Sequence, residues 1–381
     1  MSAKKKNVIS KASPHTIKKF ELIEEYIKSW AQKLLLTEFC NGLIFIDCMC
    51  NSGVYTDDAG RLVKGTAVRV SEALREASRT YTEKNIHIYL NDKDKARVDE
   101  LKKHLPQDER NFKIVTSCGD AHELLRTIGP QLYGTEHLHY FLLYDPYDAT
   151  IDWEALLPFF RNWGEVMINH MVSDPVRAIT SAKKKTTKAK YANTYLEDFE
   201  KLVPYGSDKK AYEARVEEII NSLKGARRYY VSAFPFYNTQ NSLVYNLIHC
   251  TSNKEGFKLY KKSAWKVFGA QSSTKHSVEN RQLSFNLFGE IAEEEDESCL
   301  HVIDIAKYLQ RSFRGRKQVP LDKVWELLDN HPIFPSEGFR NEVKSDLTDF
   351  FGAKIEQIVN PDTGKKKAVI SFSSCDGVSN R

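Results

Sequence analysis

From Pro14 onward, Phe20, Ile23, Tyr26, Ile27, Trp30 and Leu34 recur at helical spacing, and Ser13-Pro14 forms a start signal. The pattern predicts a helix running to about Leu35. Beyond it, short apolar runs alternate with amphipathic stretches. Strand-sized runs fall at 43–47, 86–91, 112–116, 139–144 and 165–170, and helical patterns lie between them at 65–79, 95–104, 121–128 and 153–162. Alternation of this period predicts an α/β fold, a Rossmann-like parallel sheet with helices on both faces. Two later runs, 228–234 and 243–250, are expected to add an antiparallel edge.

The pattern breaks in three places. Residues 1–13, rich in lysine, read as a disordered basic arm ahead of a main domain over 14–269. A polar insertion at about 172–225 opens with Lys183, Lys184 and Lys185 and interrupts that domain. A segment of this length in a compact domain is a functional lid or a disordered stretch. Residues 270–298 read as a low-complexity linker ending in the acidic run Glu293-Glu294-Glu295-Asp296-Glu297. Helical patterns then recur at 302–311, 321–330 and 336–351. A hairpin follows, its strands at 355–359 and 367–372 joined by the turn Asn360-Pro361-Asp362-Thr363-Gly364. Three helices and a hairpin predict a small α+β winged-helix domain over 299–373, with a tail at 374–381.

Composition changes this picture little. With 41% hydrophobic and 28% charged residues over 381 positions, the chain is ordinary for a globular protein. No apolar run reaches the length of a membrane span, and no apolar core follows the basic N-terminus, so neither membrane insertion nor secretion is expected. Seven cysteines without framework spacing suit a reducing, cytoplasmic setting. The net charge is only +5, but lysines cluster at 4–6, 183–185 and 365–367. Each run is by itself an ordinary solvated face; together they admit a phosphate-rich partner, DNA or RNA.

Candidate chemistry lies at the carboxyl ends of the strands, where open parallel sheets bind ligands. The first strand ends in Asp47-Cys48-Met49-Cys50-Asn51-Ser52-Gly53. Gly53 permits a tight turn, and Asn51 is the best non-glycine residue for a left-handed position. Asp47 is then placed for the amino end of a methionine-derived cofactor; the plain alternative is an ordinary strand–turn–helix connection. The second strand ends in Asn91-Asp92-Lys93-Asp94, where a carboxylate can take both hydroxyls of a ribose. Asp92 is the first choice, and Asp94 the helix-capping one. Asp120, after the third strand, can accept from an adenine amino group or cap the next helix.

The fourth strand ends in Asp145-Pro146-Tyr147, a carboxylate, a rigid residue and an aromatic face. Amino-directed methyltransferases carry a similar Asp/Asn-Pro-Pro-aromatic element beside the methyl donor. Asp145, Pro146 and Tyr147 are therefore the candidate catalytic residues, though they also suit a rigid turn under the sheet. Asn169 either lines the same mouth or caps. Cys48 and Cys50 lack a second pair for zinc and read as small buried thiols, so no metal site is expected. These strand ends, taken in order, fit a class I methyltransferase fold with Asp47, Asn51, Gly53, Asp92 and Asp120 holding S-adenosylmethionine.

With those residues in place, the chain resembles the three-Cys-motif partner (TcmP) family of bacterial and phage-borne proteins. The resemblance runs over about 14–265. It begins in Pro14-His15-Thr16-Ile17-Lys18-Lys19-Phe20, Tyr26 and Trp30, and continues through Phe45-Ile46-Asp47, Gly53-Val54-Tyr55 and Gly65-Thr66-Ala67. Asn91-Asp92-Lys93-Asp94, Gly119-Asp120-Ala121 and Leu143-Tyr144-Asp145-Pro146-Tyr147 with Trp153 follow in the family's order. Such families also carry a winged-helix tail. The resemblance implies a class I methyltransferase-like domain and a radical-SAM-type partner bearing a three-cysteine motif. Where the family reads Asp-x-Phe-x-Gly-x-Gly, this chain has Met49 and Asn51.

In a winged helix the third helix enters the major groove and the wing reaches an adjacent backbone. Arg340 and Lys344 on that helix, and Lys365, Lys366 and Lys367 on the wing, are the expected phosphate contacts together with Lys183, Lys184 and Lys185. Glu342, Asp346 and Asp349 on the same helix make protein docking an equal alternative. At the level of function, one expectation is methyl transfer to nucleic acid or to a substrate associated with it. A second is a catalytically inactive scaffold binding nucleic acid or a partner protein. A nuclease would need Asp145, Asp148 and Asp152 to converge on a metal.

Overall fold

The computed structural model describes residues 7–132, 135, 137–146, 151–160, 163–171, 229–275, 299–359 and 366–374. Tyr147, Asp148, Lys183, Lys184, Lys185 and Lys365, the insertion at 172–225 and the acidic run lie outside the described residues.

The first expected strand, β2 (Gly42–Asp47), is buried along its whole length. A strand covered on both faces needs a continuous apolar run, and Leu43-Ile44-Phe45-Ile46 supplies it. It lies third in a seven-stranded sheet with β5 (Asn85–Asn91), β6 (Phe112–Ser117), β7 (Leu138–Tyr144), β8 (Gly164–Met171), β9 (Tyr230–Tyr237) and β10 (Leu243–Thr251). Along the sheet the order is β6-β5-β2-β7-β8-β10-β9. Neighbours from β6 to β8 are parallel, while β10 is antiparallel to both β8 and β9. Numbered by chain position, the seven strands lie 3-2-1-4-5-7-6, the last in sequence reversed. This is the strand order of the class I methyltransferase fold.

Helices cover both faces. On one, α1 (Pro14–Leu35) and α2 (Thr66–Thr80) pack with α6 (Lys254–Phe268) over Phe45, Phe141 and Leu247, and Leu101 of α3 (Lys95–Lys102) joins them. On the other, α4 (Ala121–Gln131) and α5 (Trp153–Leu156) bury Leu125, Trp153 and Leu156 against Ile46, Leu142 and Ile168. Each fully buried aliphatic side chain contributes about 1.5–3 kcal/mol, so the apolar stripes fix which face each helix turns inward. The described residues contain no helix long and apolar enough to cross a membrane.

Three short strands escape the periodicity. β3 (Val54–Thr56) and β4 (Leu62–Lys64) form a hairpin directly after the β2 turn. β1 (Ser10–Lys11) pairs in parallel with β3, and the Ala12 amide donates to the Thr56 carbonyl at 2.9 Å. The expected disordered arm is thus corrected over residues 10–13, because β3 offers an unpaired edge that the chain before α1 fills.

Beyond α6, the first residues assigned to a linker are also ordered: the Ser272 amide donates to the Leu300 carbonyl at 2.9 Å, and Gln271 bridges to His301. A C-terminal unit follows, comprising α7 (Val302–Phe313), β11 (Val319–Pro320), α8 (Leu321–Asp329), α9 (Arg340–Asp349), β12 (Lys354–Val359) and β13 (Lys366–Ser371). Its antiparallel sheet has the order β11-β13-β12. The third helix is shorter than the expected 336–351, since Phe339 closes its start.

This unit shares a core with the helical layer of the main sheet rather than hanging from it. The fully buried Lys261 of α6 donates to the carbonyls of Leu328 (2.8 Å), Asp329 (3.3 Å) and His331 (2.7 Å). A cation there satisfies carbonyls left open where α8 ends. The Trp265 indole donates to the Ile333 carbonyl at 3.0 Å, and the Ser232 hydroxyl to that of Pro332 at 2.5 Å.

Candidate functional site

Four strand ends meet at one mouth. Leaving β2, the chain turns at Asn51 (φ +57°) and Gly53 (φ +71°). Asn51 therefore occupies the left-handed position that glycine would hold. Its own amide oxygen accepts from the Ser52 amide at 2.7 Å, which steadies the turn. A Cβ on Gly53 would lie 2.3 Å from Leu101 Cδ1 and 2.9 Å from Val68 Cγ2, so the close packing of α2 and α3 beneath the turn requires a glycine.

The second strand end holds the first in place. The Asn51 amide donates to Asp92 Oδ2 at 3.0 Å and the Asp94 amide to Asp92 Oδ1 at 2.9 Å. Asp92 is only 1% exposed, so its carboxylate ties two turns together. Asp94 caps α3 by accepting from the Ala96 amide at 3.0 Å. Asn91 adds a second tie, donating to the carbonyls of Cys48 and Gly119, each at 3.0 Å. Asp120 is exposed and accepts from the His122 and Glu123 amides, so the capping alternative is realised there. Those amides, Glu123's foremost, hold its carboxyl below the ordinary range.

Asp47 lies at the floor of the mouth, 3% exposed, with the Met49 amide donating to Oδ1 at 3.1 Å. Burial pushes its carboxyl up to about 7, the charges of Asp145 and Asp92 adding to the effect while the Met49 amide and Lys19 oppose it. Cys48 and Cys50 are buried thiols whose ionisation is pushed upward by burial.

Asp145 has two partners. Lys19 of α1 donates to Oδ2 at 2.6 Å, and Asn169 of β8 donates through Nδ2 to Oδ1 at 2.6 Å. Asn169 thus lines the mouth rather than capping, and its Oδ1 is buried with no hydrogen-bond partner among the described residues. The Lys19 ammonium lies 5.3 Å from the centre of the Tyr245 ring, whose hydroxyl donates to the His15 carbonyl at 3.1 Å. Tyr55 joins the mouth beside Gly65; its hydroxyl is pushed well up by burial and by the charges of Asp145 and Asp47. Pro146 is buried.

Asp47, Asn51, Gly53, Asp92 and Asp145 therefore converge, with Asp120 at the rim of the third strand. Lys19, Tyr55, Asn91 and Tyr245 belong to the same cluster and were not singled out from sequence. For Lys19 a signal was present: it falls on the stripe Lys19, Leu22, Ile23, Tyr26, where an apolar residue is expected. Asp152 does not join Asp145; it caps α5 through the Ala155 amide at 3.0 Å and pairs with Arg126 at 2.5 Å. No group of three or more candidate metal ligands occurs among the described residues.

The other predicted contacts belong to the C-terminal unit. Arg340 turns back on that unit, donating to the Ser336 carbonyl at 2.6 Å with its guanidinium 5.4 Å from the centre of the Trp325 ring. Lys344 is half-buried, while Lys366 and Lys367 are exposed at the start of β13. On α9 the Asp346 carboxyl is pushed up by burial and by Asp349 and Glu342.

No family model matches the chain, and no curated protein matches it by sequence. Among solved structures it is similar to an O-methyltransferase from Bacillus cereus in complex with SAH, at 9% identity over 60% of this chain and 80% of that one (TM-score 0.30). It is similar also to human methyltransferase-like protein 13 in complex with SAH, at 7% identity over 71% and 97% of the two chains (TM-score 0.31). An SAH-bound methyltransferase from Podospora anserina shares 11% identity over 64% and 89% (TM-score 0.27).

Proposed function

We propose that this chain is an S-adenosylmethionine-dependent methyltransferase acting on nucleic acid or a nucleic-acid-associated substrate. The observation that carries this reading is the β2 turn. Asn51 holds the left-handed position in place of a glycine, and Gly53 keeps the close approach, so the departure from the glycine-rich pattern preserves the geometry. That favours a working site over an inactive scaffold.

The residues fit the cofactor. Asp47 is a buried carboxyl with no side-chain cation hydrogen-bonded to it among the described residues, which suits a ligand ammonium. Asp92, a buried carboxylate at the end of the second strand, suits the ribose hydroxyls. Asp120 reaches the adenine edge with the oxygen its cap leaves open. Bound there, the cofactor supplies a methyl carbon on a sulfonium. Asp145, Pro146 and Tyr147 orient the acceptor beside it and exclude water, so that its lone pair approaches in line.

The ordered motifs also support kinship with the three-Cys-motif partner family, and with it association with a radical-SAM-type protein. We read the C-terminal unit as a winged helix. Its α9 carries Glu342, Asp346 and Asp349 against Arg340 and Lys344, and Arg340 is engaged within the unit. That balance favours nucleic-acid contact through the wing lysines and protein docking through the helix.

Titration calorimetry with S-adenosylmethionine and S-adenosylhomocysteine tests the reading. Saturable one-site binding is expected for the intact chain, weakened about tenfold or more in Asp92→Asn, since the turn loses its tie. If the folded wild-type protein gives neither heat nor a thermal shift with either ligand, the methyltransferase reading is wrong.

A further inference from the structure

The mouth holds a lysine that the motifs do not account for. Lys19 is 6% exposed, and its ammonium carries three N–H donors. One reaches Asp145, and the Tyr245 ring offers a π-face to the charge. No other hydrogen-bond acceptor for this ammonium occurs among the described residues. On the other oxygen of the same carboxylate, the Asn169 amide is fixed with Nδ2 toward Asp145, which leaves Oδ1 buried and unmet. A donor-rich cation and an open acceptor are thus held side by side by one carboxylate.

A ligand that satisfies both carries an acceptor for the ammonium beside a donor for the amide oxygen, and the contacts are strongest when the acceptor is anionic and the donor cationic. A free α-amino-acid end has that pairing. A phosphate brings no donor for Asn169 Oδ1 or for the carboxyl of Asp47. With Asp47, Asp92 and Asp145 around the mouth, a ligand carboxylate also needs a nearby cation to enter at all.

We propose that Lys19 receives the carboxylate of the cofactor's amino-acid end, while Asn169 Oδ1 and Asp47 receive its ammonium. This rests on the methyltransferase reading above and assigns the N-terminal helix to the binding site. Lys19 also holds Asp145 in place, so the same contact sets the wall against which the acceptor lies.

The test compares S-adenosylhomocysteine with 5′-methylthioadenosine, which keeps the nucleoside and thioether but lacks the amino-acid end. Calorimetry on the full chain is expected to show Lys19→Met weakening S-adenosylhomocysteine by about ten- to a hundredfold, the size of one charge-assisted contact. Binding of 5′-methylthioadenosine is expected to change by less than about twofold, and Lys19→Arg to recover much of the loss. Should Lys19→Met fail to fold, Lys19→Gln carries the same comparison. Equal losses for both ligands would show a merely structural lysine and overturn the proposal, as would no loss for S-adenosylhomocysteine. If the wild type binds neither ligand, the cofactor reading itself falls; if it binds both and Lys19→Met behaves like it, only the assignment of Lys19 falls.

Discussion

A carboxyl poised near neutrality makes Asp47 a pH-sensitive residue of the mouth. Burial raises it to about 7 in the folded chain, against about 3.9 for an unperturbed aspartate. As pH falls through 7 the folded state takes up a proton that the unfolded state does not, so this group stabilises the empty fold toward acid. A ligand ammonium favours the ionised form, so its binding works in the opposite direction. S-adenosylhomocysteine is therefore expected to bind more tightly as pH rises from 6 to 8 and then to level off, and Asp47→Asn to flatten that rise. Calorimetry at three pH values checks this, and an unchanged slope in the variant would remove Asp47 from the cofactor's amino end. Asp47, Asn51 and Gly53 were legible in the sequence because their roles are local: a strand end and a turn with special backbone angles. Lys19 and Tyr245 were not, since the one lies 126 positions from Asp145 and both meet it only after α1 and β10 have docked.

Among the elements, α1 is tied at two points. Lys19 anchors it to β7 at the mouth, and near its middle the Tyr26 hydroxyl donates to Glu165, which His249 of β10 also meets at 2.7 Å. Helix α6 plays the matching part for the C-terminal unit through Lys261 and Trp265. Replacing Lys261 by Met fills the space but leaves the carbonyls of Leu328, Asp329 and His331 without their donor. A loss of about 3 kcal/mol is expected, as for a broken buried charged network. Urea unfolding should show it, and limited proteolysis should cut between the main sheet and residue 299 more readily than in the wild type. An unchanged midpoint would mean water replaces the amine. The seven-stranded sheet was legible because its strands are apolar runs, continuous in β2 and β7 and alternating with polar positions in β5 and β6 toward one edge. β1, β3, β4 and β11, each of two or three residues, are too short to show alternation, and their existence depends on edges supplied by other elements.

For the molecule as a whole, the C-terminal unit shares its core with the helical layer over the main sheet, so its β12–β13 hairpin is joined to that sheet through packed side chains. A modest net charge of +5 argues little for a nucleic-acid partner; on the proposed reading the distribution of charge has to supply the attraction. Of the described lysines named as phosphate contacts, Lys366 and Lys367 are the exposed ones, adjacent on β13 where it pairs with Val359 and Ile358 of β12. If they contact phosphates, each releases counterions on binding, and the logarithm of affinity for duplex DNA falls with that of salt by about 0.9 per contact. The double change Lys366→Gln and Lys367→Gln is then expected to reduce the slope by about 2 while weakening all sequences alike. Fluorescence anisotropy with two unrelated duplexes across a salt series measures both. An unchanged slope with unchanged affinity would take the wing out of nucleic-acid binding and leave the acidic face of α9, suited to a basic protein partner, as the surface through which this unit acts.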